Sequence, residues 1–309
     1  MINHIVQSKA LYNRSQHEFQ LGELNLIDAG CILARYSKRE VLDAYLTLGG
    51  IPEYLQHVDD ASSVFTSLCK HSFTSGGYFT TEFKRIFASS MASNKHYKAI
   101  IEYLSKRKFA TRPMIATHLK VQQGGRLTEI LQDLTLCGFI DKYTPYNLND
   151  HSKLTRYCIK DAYLHFFYKF IKPLQSRIEQ GDFSKNPISA IKMETYQKWL
   201  GFAFERFCRK YHHILANILG FSAINYKVSA LYYKNTNEAD PNFQIDLMFD
   251  RADGVFTICE IKYLQNKVGA KIIDEMERKI EYLPNPKHKT IHKVLICKEG
   301  IDDTLMRRH

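Results

Sequence analysis

Two short apolar runs, each interrupted by charge, constrain this chain most. Gln244 to Phe249 reads Gln-Ile-Asp-Leu-Met-Phe, and Val255 to Tyr263 reads Val-Phe-Thr-Ile-Cys-Glu-Ile-Lys-Tyr. Their lengths and their β-branched and aromatic content predict strands. The turn-like residues Asp250 to Gly254 between them predict a hairpin. Side chains alternate along a strand. Gln244, Asp246 and Met248 are therefore expected on one face, and Glu260 and Lys262 on one face of the next strand. Pairing would bring a carboxylate from each strand together beside a lysine. Charges inside such apolar strands need a reason, because an uncompensated charge is costly to bury.

One reason is metal-dependent phosphodiester hydrolysis. Two carboxylates hold a hard cation, Mg²⁺ or Mn²⁺, through oxygen. Such a cation polarises a phosphoryl oxygen and acidifies a water. A neighbouring lysine positions that water or stabilises the developing negative charge. Asp246 and Glu260 are the candidate metal ligands and Lys262 the water-positioning residue. Glu205, beside the apolar stripe Leu200, Phe204, Phe207, Tyr211 and Ile214 of a preceding helix, is a candidate accessory carboxylate. The same residues also read as a cross-face ion pair, worth under ~1 kcal/mol.

The surrounding pattern is helix, three strands, helix, strand. A long amphipathic helix is expected from Met193 to Ile218 and strands over Ala223 to Tyr233, Gln244 to Phe249 and Val255 to Tyr263. A charged helix over Lys267 to Tyr282 and a strand over Thr290 to Cys297 complete a mixed α/β domain. Lys267, Lys271 and Lys279 lie on that charged helix; Lys271 can face the site and touch a phosphate, but a solvated helix face is the commoner outcome for such a run.

Upstream, Tyr97, Ile100, Ile101 and Leu104 mark one helix. Pro113 opens a second, and Leu127, Ile130, Leu131 and Leu134 mark a third that ends at Gly138. Strand-like pieces over Phe139 to Tyr143 and Leu154 to Ile159 follow, separated by the polar stretch Asn147 to Ser152. Three helices and a hairpin give the order of a winged helix-turn-helix. Its third helix exposes Arg126, Thr128, Glu129, Gln132 and Asp133, two of them acidic, which suits a phosphate backbone poorly. Lys106, Arg107 and Lys108, with Arg112 and Lys120, are better placed to contact phosphates without reading sequence. DNA binding and a protein–protein role both remain open for this module. Further upstream, residues 39–58 read as helix, tight turn, helix, with Gly49-Gly50 as the stop and Pro52 as the next start. Tyr163, Phe166, Phe167, Tyr168 and Phe170 read as core packing between domains, and Gly181 to Pro187 as a linker.

Lys+Arg 43 against Asp+Glu 32 leaves +11 over 309 residues, a balance that favours polyanionic partners. The seven cysteines form no CxxC pair, which argues for a reducing compartment and against a zinc site. His212-His213, His288 and His292 lack a metal-ligand spacing. No apolar run approaches the ~18–20 residues of a membrane span. The first residues show no secretory pattern, so the cytoplasm is the expected compartment.

Glu205, Asp246 and Glu260-Ile261-Lys262 resemble the helix-Glu, Asp, Glu-x-Lys signature of the PD-(D/E)XK nuclease superfamily. Leu48-Gly49-Gly50-Ile51-Pro52-Glu53-Tyr54-Leu55 resembles the Gly-Gly-Ile-Pro-Glu-Tyr-Leu motif of an archaeal/bacterial family of AAA-like ATPases. Trp199-Leu200-Gly201-Phe202-Ala203-Phe204-Glu205 and Ile245-Asp246 are similar to the nuclease-like C-terminal domain of that family, and Ser8-Lys9-Ala10-Leu11-Tyr12 to the region after its ATP-binding core. The resemblance implies a multidomain α plus α/β chain. A helical lid remnant would cover 1–90, a winged-helix domain 91–180 and a PD-(D/E)XK nuclease-like mixed-sheet domain 181–309. No Gly-x4-Gly-Lys-[Ser/Thr] phosphate loop occurs in the chain, so no ATP hydrolysis by this polypeptide is expected. The implied function is a DNA-interacting protein with a Mg²⁺- or Mn²⁺-dependent nuclease-like domain. The implied partners are DNA and an ATPase domain or full-length homologue. The alternative is a non-catalytic DNA- or protein-binding module that docks on an ATPase partner.

Overall fold

The computed structural model describes residues 21–58, 63–89, 95–144, 155–233 and 242–307. Ser8 to Tyr12, Asn147 to Ser152 and Leu154 lie outside the described residues. The chain divides into two compact units, whose described parts are 21–144 with 155–192, and 193–307. The first is helical with a small sheet, and the second is a four-stranded mixed sheet with helices.

The first unit begins with helices α1 (Leu26–Ile32), α2 (Lys38–Leu48), α3 (Pro52–His57), α4 (Val64–Phe73) and α5 (Tyr78–Ser89). Ser37 opens α2 through a reciprocal capping box with Glu40, which satisfies two helix-terminal N–H groups. The expected stop at Gly49-Gly50 has a tertiary cause as well as a conformational one. Gly49 takes φ +78°, and a Cβ on Gly50 would lie 2.1 Å from the Leu24 carbonyl oxygen. The Leu24 N–H donates to the Gly50 carbonyl, the Gly50 N–H donates to Glu23, and the Tyr45 hydroxyl donates to the Leu24 carbonyl. Two glycines thus let an incoming segment press against the turn. Pro52 then sits in the first turn of α3, where its missing N–H costs nothing.

No element is expected from the sequence over helix α5, although Phe79, Phe83, Ile86 and Phe87 recur at the helical spacing i, i+4, i+7, i+8. Tertiary contacts fix it: Phe79 and Phe83 are buried, and Phe83 stacks on Phe167 at 4.4 Å. The aromatic stretch is core as expected, with Tyr163, Phe166, Phe167 and Phe170 all buried. It forms helix α9 (Ala162–Phe166) and runs into a π-helical turn over Phe167–Ile171.

Between these lie α6 (Lys95–Ser105), the short strand β1 (Ala110–Thr111), α7 (Arg112–Leu119), α8 (Gly125–Leu136), β2 (Ile140–Tyr143) and β3 (Arg156–Ile159). The strands form an antiparallel sheet in the order β1-β3-β2. Leu127, Ile130, Leu131 and Leu134 of α8 are buried at the expected spacing. The linker expected over Gly181 to Pro187 is instead a set of turns inside this unit, because Phe183 is buried with its ring 6.4 Å from that of Phe73.

The second unit contains α11 (Met193–Lys210), α12 (His212–Ile218), β4 (Tyr226–Tyr233), β5 (Phe243–Arg251), β6 (Val255–Lys262), α13 (Lys271–Glu281), β7 (Thr290–Cys297) and α14 (Asp303–Met306), with α10 (Gln175–Glu179) closing the helices of the first unit. Strands β4, β5 and β6 form an antiparallel meander, and β7 joins β6 in parallel through the α13 crossover. Met276 and Leu283 pack with Met248, Phe256 and Ile258 in one apolar cluster.

Three sequence expectations change here. The helix expected over Met193 to Ile218 is broken at Tyr211 (φ −101°, ψ 29°), and His212 Nδ1 beyond the break meets the Tyr226 hydroxyl at 3.0 Å. The charged helix starts at Lys271 rather than Lys267, because Val268 bridges to Ile301 in a strand-like pairing. The face shared by Gln244, Asp246 and Met248 is interrupted. Ser229 pairs with Met248 but Leu231 pairs with Ile245, so Asp246 and Leu247 together oppose Ala230 in a β-bulge. The extra residue resets the alternation, and Met248 packs with Phe243 and Ile245 instead. Among the described residues no helix is long and apolar enough to cross a membrane.

Candidate functional site

The bulge falls at the residue that carries the chemistry. Strands β5 and β6 pair from Asp250↔Phe256 to Leu247↔Cys259. Beyond that point the Asp246 carboxylate takes the place of a backbone acceptor: its Oδ2 accepts the Ile261 N–H at 3.0 Å. The hairpin therefore opens at Asp246, with Glu260, Ile261 and Lys262 on the other arm. Gln244 Nε2 reaches Asp246 Oδ1 at 3.4 Å.

Glu260 is 3% exposed and Asp246 8%, so both carboxylates are withdrawn from water. Burial pushes the Asp246 carboxyl above its usual range. The Ile261 N–H opposes that shift, the charge of Glu260 adds to it, and Lys279 and Lys262 oppose it. Glu260 is held from two sides. Lys262 Nζ donates to its Oε1 at 2.9 Å and Lys279 Nζ to its Oε2 at 2.5 Å. Burial alone would lower the Lys262 pKa, but its hydrogen bond and charge pairing with Glu260, aided by Glu275 at 3.6 Å, raise it overall. Lys262 thus stays an ammonium in neutral solution.

The structure brings Asp246, Glu260 and Lys262 together as the sequence reading expects. Glu205 connects to them through a cation: Arg209 pairs with the Glu205 carboxylate at 3.4 Å and donates to the Asp246 carbonyl at 3.2 Å. Among the described residues no three His, Cys, Asp or Glu side chains gather as a metal-holding group. Lys279 is the residue whose part in the site the sequence left unassigned. Glu275 and Lys279 lie four apart on α13, so one helical stripe delivers both to the β6 residues Lys262 and Glu260. Lys271, one turn earlier on that stripe, is exposed. The spacing 271, 275, 279 was the available signal, but only the crossover shows which turn meets the strand.

The donor set suits a hard divalent cation. Asp246 and Glu260 offer carboxylate oxygens, the donor type such a cation takes, while Lys262 and Lys279 already compensate their charge. The sulfur atoms nearby are different in kind. Burial pushes the thiols of Cys208 and Cys259 up to about 12, so they stay protonated and neutral beside the carboxylates.

In the first unit, Lys106, Arg107 and Lys108 are exposed at the end of α6. The Arg107 guanidinium lies 3.8 Å from the centre of the Tyr103 ring, and Tyr103 stacks on His118 at 4.1 Å. Arg112 departs from its expected phosphate-contacting role: its Nη2 donates to the carbonyls of Gln123 and Gly124 and ties the loop before α8. Asp133 is half-buried and accepts the Tyr97 hydroxyl at 2.5 Å, which fastens α8 to α6.

Similarity to known proteins is limited. An uncharacterized protein of Methanocaldococcus jannaschii, MJECL04, is 28% identical over 174 residues, covering 56% of this chain and 37% of the relative. The chain thus spans little more than a third of that relative's length. No family model matches the chain, and no solved structure matches it significantly.

Proposed function

We propose that this chain is a DNA-interacting protein whose C-terminal unit hydrolyses phosphodiesters with Mg²⁺ or Mn²⁺, on a sheet of the PD-(D/E)XK nuclease kind. The meeting of two buried carboxylates, Asp246 and Glu260, where a hairpin opens beside Lys262 carries this reading. Asp246 and Glu260 would hold the metal. The ion, when bound, would supply positive charge for a phosphoryl oxygen and acidify the attacking water. Lys262 orients that water or meets the developing negative charge, and its raised pKa keeps it cationic for the task. The Ile261 N–H fixes the Asp246 carboxylate, and Arg209 links Glu205 to the same strand.

DNA contact is supported by the +11 balance and by the exposed Lys106-Arg107-Lys108 run. The order of α6, α7, α8 and the antiparallel sheet supports reading residues 95–159 as a winged helix. The resemblance to the C-terminal part of an AAA-like ATPase belongs to the same proposal, with an ATPase domain as a partner. A non-catalytic module is the second reading, favoured by the two ammonium groups that already neutralise Glu260.

The test is DNA cleavage with Mn²⁺ by wild type, Asp246→Asn and Lys262→Ala, each verified as folded. Cleavage that both substitutions abolish supports the nuclease reading. Equal cleavage by wild type and Asp246→Asn overturns the site. Metal-independent DNA binding without cleavage moves the reading to the module.

A further inference from the structure

The two ammonium groups on Glu260 bear differently on a metal. Lys262 is two residues away on the same strand, so it stays beside Glu260 whatever else binds. Lys279 arrives from α13, nineteen residues further on, and contacts the other oxygen. Its long, flexible stem allows the ammonium to leave without disturbing the strand. Lys262 and Lys279 set two positive charges against those of Asp246 and Glu260, with the more exposed Glu275 3.6 Å from Lys262 as a third acid. A divalent cation that binds through Glu260 Oε2 has to displace Lys279, because two like-charged groups cannot share one buried oxygen without repulsion.

Resting on the nuclease reading above, we propose that Lys279 is a built-in counter-cation that occupies the Glu260 side of the metal site and is drawn off by a phosphodiester. A phosphate at the opening of the hairpin offers the displaced ammonium a replacement anion. Metal and DNA therefore bind cooperatively: each removes part of the cost of admitting the other. Lys279 acts as a positioning residue, and its action is visible in metal affinity without any turnover.

The experiment is Mn²⁺ titration by calorimetry, alone and with a short phosphorothioate DNA duplex that resists cleavage. Wild type, Lys279→Met, Lys279→Arg and Glu260→Gln are compared after their folding is checked by circular dichroism. Lys279→Met is expected to bind Mn²⁺ on the order of tenfold more tightly than wild type without DNA. Lys279→Arg keeps a cation on Glu260 and should stay within about threefold of wild type. The duplex should tighten Mn²⁺ binding to wild type and have little effect on Lys279→Met. Equal or weaker binding by Lys279→Met, with binding lost in Glu260→Gln, would overturn the counter-cation while leaving the metal site standing. No Mn²⁺ binding by any protein, with or without DNA, would overturn the metal site and this inference together.

Discussion

Both units withdraw carboxylates from water, partly in the first and almost wholly in the second, and they satisfy them with different partners. In the first unit Asp161 caps α9 by accepting the Leu164 N–H at 2.7 Å, and Glu82 accepts the Tyr54 hydroxyl at 2.8 Å while pairing with Arg85 at 2.9 Å. These acids close off helix ends and helix contacts. In the second unit Asp246 takes one backbone N–H where two strands part, and Glu260 is bound entirely by the tips of two lysines. A carboxylate committed to local backbone has little to exchange. One held by ammonium groups can trade them for another cation. The contrast lies in the partners as well as in burial, since Asp246 and Glu260 are buried and Asp161 and Glu82 only partly so.

The largest expected effect tests the functional side. Glu260→Gln should lower any metal-dependent DNA cleavage by roughly a hundredfold or more, measured under single-turnover conditions. The corresponding blow to the structural side is Gly50→Ala. Its new Cβ would meet the Leu24 carbonyl oxygen at 2.1 Å, and unfolding in urea should show a loss on the order of 3 kcal/mol. DNA affinity carried by residues 106–108 should respond by salt dependence: replacing Lys106, Arg107 and Lys108 with Gln should reduce the salt slope of binding by up to about 3.

The next two sharpen the comparison through protonation. Asp246→Asn should abolish Mn²⁺ binding yet leave the protein as stable or about 1 kcal/mol more stable by thermal melting, because it relieves a buried charge and keeps an oxygen for the Ile261 N–H. Asp161 is pushed up to about 6, chiefly by burial, with the Leu164 N–H opposing and Glu82 adding. An acid whose folded pKa is raised binds more protons folded than unfolded between the two values. Its contribution therefore falls as pH rises from about 4 to about 6. Asp161→Asn keeps the cap, so its melting temperature should gain on wild type by a few degrees across that window and then level off. A parallel pH course for the two proteins would remove Asp161 from this role.

Much of this architecture was legible from local pattern. Alternating and apolar strands at β5, β6 and β7, the heptad-like spacing of α8 and the Gly-Gly-Ile-Pro turn announce themselves, because each is set by neighbours in sequence. The pairing of Asp246 and Glu260 followed from the hairpin between them. Helix α5 went unassigned although its apolar residues recur at helical spacing; what no local pattern gives is that Phe79 and Phe83 meet Tyr163 and Phe167, more than 80 residues away. The bulge at Asp246 escaped because it depends on the register of β4, which pairs two residues of β5 with one of its own.

The amino-acid sequence by itself determined which residues carry the charge, which strands they interrupt and that a hairpin joins them, since these depend on composition and short-range geometry. Tertiary structure alone decided that Asp246 would turn from the ladder to the Ile261 N–H, that Arg209 would stand between Glu205 and the Asp246 strand, and that Lys279 would share Glu260 with Lys262. Each of those contacts joins elements whose register and crossing are set by packing over the whole sheet, and no local pattern encodes where one helix turn will meet one strand position.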